Sequence, residues 1–127
     1  MNVVIMVANN ALLEPNKEKI YMKKTPKDII AIYYNSWVIN DKISAREQLA
    51  DNLLFRSPNG NYDSADTFMD ACWQFSEYFS EFNLLHQAYE ENKAYIIYPI
   101  DNIYIGEFIK FKDGKISEIY VSFNPTL

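Results

Sequence analysis

The hydrophobic period of this chain changes near residue 80, and that change limits what it can fold into. Up to Phe79 the apolar residues recur at helical spacing. Ile30, Tyr33, Tyr34, Trp37 and Val38 make one stripe, and Phe68, Cys72, Phe75 and Phe79 make another, with Met69 and Trp73 beside it. From Leu84 the period falls to two. Leu84–Glu90, Ala94–Ile100, Ile103–Phe111 and Ile116–Phe123 read as four antiparallel strands, joined at Glu91-Asn92, Asp101-Asn102 and Asp113-Gly114. Helices followed by a meander predict an α+β layout with the helices packed on one sheet face. A length of 127 residues suits one domain with one core, and 20 large rings (10 Tyr, 8 Phe, 2 Trp) offer that core or a pocket ample volume.

Local signals place the helix ends. Thr25-Pro26-Lys27-Asp28 reads as an N-cap, a proline at the first helical position and an acid in the first turn, opening a helix that runs to about Asn40. Ser44-Ala45-Arg46-Glu47 reads as a capping box for a short second helix ending near Asp51. Leu53–Ser57 is a short strand closed by Pro58, Asn59 and Gly60, and Ser64 caps the third helix. Residues 1–24 differ in character, with a β-like run at Val3–Val7 and a Lys/Glu-rich stretch. They are read as an N-terminal extension to a domain spanning 25–127, with Met22 an alternative start.

Charge and cysteine usage narrow the function classes. Twelve Lys and Arg against seventeen Asp and Glu leave a net charge of −5. The one basic cluster (Lys17, Lys19, Lys23, Lys24, Lys27) is interleaved with Glu18 and Asp28, so it reads as a solvated face and no nucleic-acid partner is expected. The longest apolar runs, Val3–Ala8 and Ile29–Tyr34, fall far short of the roughly 20 residues of a membrane span, and no membrane partner is expected. A single cysteine, Cys72, suits a reducing compartment and a cytoplasmic location. One histidine, His86, and no cluster at ligand spacing predict no metal site and no cofactor.

The hairpin at Lys112-Asp113-Gly114-Lys115 decides which sheet face matters. A two-residue turn would put Glu107 on the face of Glu118 and Tyr120. A three-residue turn with Gly114 left-handed and a bulge would put it beside Ile119, Val121 and Phe123. The second choice joins two apolar faces and is the one adopted here. It leaves one carboxylate on a greasy surface beneath the helices, where its proton affinity should rise. Tyr104, Phe108 and Tyr120, with Lys110 and Glu118, then share the opposite face, a composition that suits a dimer contact.

Three segments carry a family resemblance: Tyr33-Tyr34-Asn35-Ser36-Trp37 through Asn40-Asp41, Leu49-Ala50-Asp51 through Ser57-Pro58-Asn59-Gly60, and Phe108 through Ile116 followed by Glu118 and Phe123-Asn124-Pro125. In order and spacing they resemble the nuclear transport factor 2-like superfamily, in its branch of SnoaL-like polyketide cyclases and ketosteroid isomerases. The resemblance covers residues 25–125. It implies a cone-shaped fold, the cystatin-like α+β roll, in which three helices wrap a strongly curved antiparallel sheet and enclose a pocket, commonly as a homodimer through the outer sheet face. It also implies a tyrosine on the first helix and an acid on a late strand, the positions of Tyr33 and Glu107. The isomerases' base falls at Ser57 and the cyclases' acid at Val121, departures that weigh against carrying over either reaction and leave the enzyme assignment open, and no Asp-Arg-Asp set of the epoxide hydrolases is found.

The expected function is a small-molecule binding protein with a hydrophobic pocket lined by Tyr33, Trp37, Phe55, Ser57, Tyr62, Trp73, Glu107, Val121 and Phe123. The alternative is an acid–base isomerase, cyclase or dehydratase acting on a hydrophobic carbonyl compound through Glu107 and Tyr33. A further alternative is a non-catalytic interaction or dimerisation module. The partners expected are a small hydrophobic molecule and a second copy of the chain.

Overall fold

The computed structural model describes residues 24–125. The Val3–Val7 run, Met22, and Lys17, Lys19 and Lys23 of the basic cluster lie outside the described residues, as does the extension up to residue 23.

Helix α1 spans Pro26–Val38. Thr25 closes a reciprocal capping box: its hydroxyl accepts the Asp28 N–H at 3.2 Å, and the Asp28 carboxylate accepts the Thr25 N–H at 3.0 Å. The helix buries Ile29, Ile30, Tyr33, Tyr34 and Trp37 against the sheet. It ends at Val38 with Ile39 as its C-cap, and Asn40 just beyond takes a left-handed φ of 62°.

The second helix departs from expectation. Helix α2 spans Lys42–Glu47 and its cap is Asp41, because the Asp41 carboxylate accepts both the N–H and the hydroxyl of Ser44 at 3.1 and 2.8 Å. The Ser44 hydroxyl is thereby used up and cannot open a helix of its own. Asp51 is not helical. Strand β1 already starts at Leu49 and runs Leu49–Ser57, four residues earlier than its sequence signals suggest, because Leu49 is buried and faces Ile116 across the sheet. Strand β2, Gly60–Tyr62, returns antiparallel along β1.

Helix α3 spans Ala65–Cys72 and is capped by Ser64. The chain does not continue as α-helix to Phe79. It tightens into a 3-10 helix over Trp73–Phe79. Three residues per turn breaks the expected stripe, and Phe75 ends 48% exposed.

Strands β3 (His86–Glu90), β4 (Lys93–Ile100), β5 (Ile103–Lys112) and β6 (Lys115–Phe123) form the meander. The described strands make one six-stranded sheet in the order β2-β1-β6-β5-β4-β3, antiparallel throughout except where β1 lies parallel to β6. That parallel pair joins the β1–β2 hairpin to the meander and was not legible as a local pattern.

The β5–β6 hairpin combines elements of both turns considered above. Lys112 faces Lys115, so the turn has two residues, Asp113 and Gly114, with φ of 54° and 76°, as a type I′ turn requires. Lys110 faces Glu118 while Phe111 faces Ile116, so Ser117 is the extra residue of a bulge, and its hydroxyl donates to the Lys110 carbonyl at 3.1 Å. The bulge shifts the register by one, and Glu107 faces Val121. No helix among the described residues is long and apolar enough to cross a membrane.

Candidate functional site

Alternation along β5 puts Ile105, Glu107 and Ile109 on the face beneath α1, where Glu107 is flanked by Ile96 of β4 and Val121 of β6. Glu107 is 7% exposed. Two buried tyrosines meet its carboxylate: the Tyr34 hydroxyl donates to Oε1 and the Tyr98 hydroxyl to Oε2. Tyr34 arrives from the buried stripe of α1. Tyr98 lies two residues beyond Ile96 on β4 and therefore on the same face.

Rings close this triad from outside. Phe82 stacks on Tyr34 at 5.0 Å, nearly parallel, and lies 5.0 Å from Tyr98. Phe79 stands 5.8 Å from Tyr98. Burial raises the Glu107 pKa, and the two hydroxyl donors pull part of that shift back. Burial, then the nearby Glu107 charge, hold Tyr34 and Tyr98 well above the ordinary tyrosine value, so both keep their protons.

Tyr33, the expected partner, is buried beside the triad without donating to it. Burial and the Glu107 charge raise its pKa, and the Trp37 indole offsets this in part. Trp37 is 4% exposed, and its Nε1 is directed at the Tyr33 hydroxyl without reaching full hydrogen-bond geometry.

Of the remaining expected lining residues, several join one aromatic wall. Trp37 packs 4.5 Å from Trp73 and 6.3 Å from Phe68, and Phe68 continues to Phe55 at 4.4 Å and Tyr62 at 6.2 Å. The Tyr62 ring lies over Gly60: a Cβ there would meet the Tyr62 hydroxyl at 2.9 Å, so a larger residue would push the ring aside. Cys72 lies against this wall, its thiol pKa raised by burial and partly lowered by the Tyr62 hydroxyl. Two expected residues stand apart. Ser57 spends its hydroxyl on the Asn59 N–H at 2.9 Å within the β1–β2 turn, and Phe123 is 37% exposed at the end of β6.

His86 is exposed on edge strand β3. It shares a cross-strand row with Ile97, Gly106 and Ser122, on the sheet face opposite Glu107, so it cannot act with the carboxylate.

Three solved structures share this architecture. An NTF2-like protein of unknown function from Cytophaga hutchinsonii is 20% identical, covers 82% of this chain and 96% of its own, and superposes with a TM-score of 0.66. A SnoaL-like protein of unknown function from Burkholderia thailandensis is 12% identical over 78% of this chain and 94% of its own, with a TM-score of 0.68. A steroid delta-isomerase from Pseudomonas aeruginosa is 16% identical over 81% of this chain and 85% of its own, with a TM-score of 0.62. The fold is nuclear transport factor 2-like. Likeness at these identities is one of fold, and in an NTF2-like cone the face bearing Glu107 is the inner one. No protein-family model matches the chain, and no curated protein matches it.

Proposed function

We propose that this protein binds a small, mostly apolar molecule between α1, α3 and the inner face of the sheet, with Glu107 as the polar anchor. The observation carrying this reading is a buried carboxyl held by Tyr34 and Tyr98 in a shell of aromatic rings. Taking a carboxylate out of water costs several kcal/mol. Hydrogen bonds to a charged group return about 1.5–3 kcal/mol each. The triad therefore roughly offsets its own cost and adds little net stability, which favours a role in recognition. The wall from Tyr33 through Trp37 and Phe68 to Phe55 and Tyr62 supplies the ring surface that such a molecule needs. Fold likeness to a steroid delta-isomerase supports the apolar class of ligand.

An acid–base reaction on a hydrophobic carbonyl compound would use the same groups, and the raised pKa of Glu107 favours it. Each carboxylate oxygen accepts one tyrosine hydroxyl and keeps a second lone pair for a ligand group or a substrate proton. Binding needs only that remaining acceptor capacity, whereas the isomerase base and cyclase acid positions are Ser57 and Val121 here, so binding without turnover is preferred. Half-buried Cys72, a free thiol, fits a reducing cytoplasm.

The outer sheet face favours a second role, homodimerisation. Tyr95, Phe108, Tyr120 and Arg56 form one row across four strands, with Tyr104 half exposed nearby. Native mass spectrometry of the full chain purified from its own host tests the ligand. The expected result is a co-purifying small-molecule mass that is diminished in Glu107→Gln. A bare protein mass, with no thermal shift across a panel of apolar carbonyl compounds, overturns the reading.

A further inference from the structure

The 3-10 helix over Trp73–Phe79 builds a second feature, away from Glu107. With three residues per turn, side chains three apart align in rows: Trp73, Ser76 and Phe79; Gln74, Glu77 and Ser80; Phe75 and Tyr78. The first two rows face the C-terminal end of α1. Between them lies an open hollow of about 550 Å³ lined by Trp37, Val38 and Asn40 on one side and by Trp73, Gln74, Ser76, Glu77 and Ser80 on the other. The Ser76 hydroxyl donates to Asn40 Oδ1 at 3.1 Å and ties the two walls together.

The chemistry of this hollow is one-sided. Glu77 is the single charged residue in its lining. Helix α1 ends here with no basic residue in its last turn, and its Asn35, Ser36 and Trp37 carbonyls already accept the N–H groups of Ile39, Asp41 and Asn40, so Glu77 is the charge that a cation would meet. The floor is indole, with the Trp37 and Trp73 rings 4.5 Å apart. Negative potential over tryptophan faces recognises a soft organic cation. We propose that this hollow binds a small organic ammonium ion, the cation resting on the Trp73 indole with Glu77 as counter-charge. This site shares Trp37 with the aromatic wall beneath α1, and Glu77, which that wall lacks, distinguishes the two.

The chain has 2 tryptophans, Trp37 and Trp73, and both line the hollow, so tryptophan emission responds to its occupancy, and the Glu77→Gln comparison separates that response from one at the wall beneath α1. The test titrates the full chain with choline chloride against two controls, sodium chloride at equal ionic strength and 3,3-dimethylbutan-1-ol, a neutral molecule of the same shape. The expected result is a saturable change in emission with choline, at a midpoint about fivefold or more below that of the alcohol. Glu77→Gln, at an exposed position that does not support the fold, is expected to raise the choline midpoint about two- to fivefold and leave that of the alcohol unchanged. A response no greater than that to sodium chloride, equal midpoints for cation and alcohol, or a choline midpoint unmoved by Glu77→Gln overturns the proposal.

Discussion

At the scale of single residues, Glu107 makes stability depend on pH in a direction unusual for an acid. Its pKa in the folded chain lies above the ordinary carboxylate value, so the folded state holds the proton more tightly than the unfolded one. The stability it contributes is therefore present below about pH 4.3, where both states are protonated, and is lost as pH rises to the elevated value, then constant above it. Glu107→Gln mimics the protonated form and carries no such dependence. The stability of the wild type minus that of the variant, from urea unfolding, should fall across that window. A difference independent of pH would contradict the burial argument. The two hydroxyls can be ranked in the same assay. Tyr34→Phe and Tyr98→Phe each strip a donor from a buried carboxylate and should cost about 1–3 kcal/mol. Tyr33→Phe, which removes no bond to Glu107, should cost less; equal losses would show that the choice between the adjacent tyrosines is wrong. The acid itself was legible in the sequence. Tyr98 could have been found by counting back from the Asp101-Asn102 turn, which sets Ile96 opposite Glu107. Tyr34 rather than Tyr33 could not, because both lie on the buried face of α1 and only packing selects which hydroxyl reaches the strand.

Among the elements, the β5–β6 hairpin has the largest consequence for the site. A type I′ turn alone would have placed Glu107 on the outer face, and the single extra residue at Ser117 turns it inward. Deleting Ser117 should remove the register shift and send either Glu107 or the Ile119 and Val121 pair to the wrong side. Loss of cooperative urea unfolding is expected, and a soluble variant with an unchanged midpoint would show that the bulge does not set the face. Gly114→Ala is a milder test of the same hairpin. Nothing lies within 4 Å of a Cβ there, so the cost should be purely conformational, about 1 kcal/mol. The sequence reached the correct face by matching apolar strands, although it placed the bulge in the turn itself. It missed the tightening at Trp73, since a stripe of Phe68, Cys72, Phe75 and Phe79 fits an α-helix equally well. Burial of Trp73 against Trp37 opposes that fit, and the contact is tertiary.

For the whole molecule, the row of Tyr95, Phe108 and Tyr120 across the outer face bears on assembly. If two chains meet there, Phe108→Glu or Tyr120→Glu should give monomers by sedimentation velocity while circular dichroism stays unchanged. A wild-type chain that is monomeric at micromolar concentration would remove the dimer reading. Taken alone, the sequence determined the α+β class, the Thr25 and Ser64 caps, the strand alternation and the isolation of one carboxylate on an apolar face. These follow from periods and capping patterns that act over a few residues. Tertiary structure alone decided that β1 lies parallel to β6, that Tyr34 rather than Tyr33 holds Glu107, and that Trp37 and Trp73 wall an open hollow. Each of those joins segments tens of residues apart, and local propensity carries no information about which distant surfaces will exclude water together.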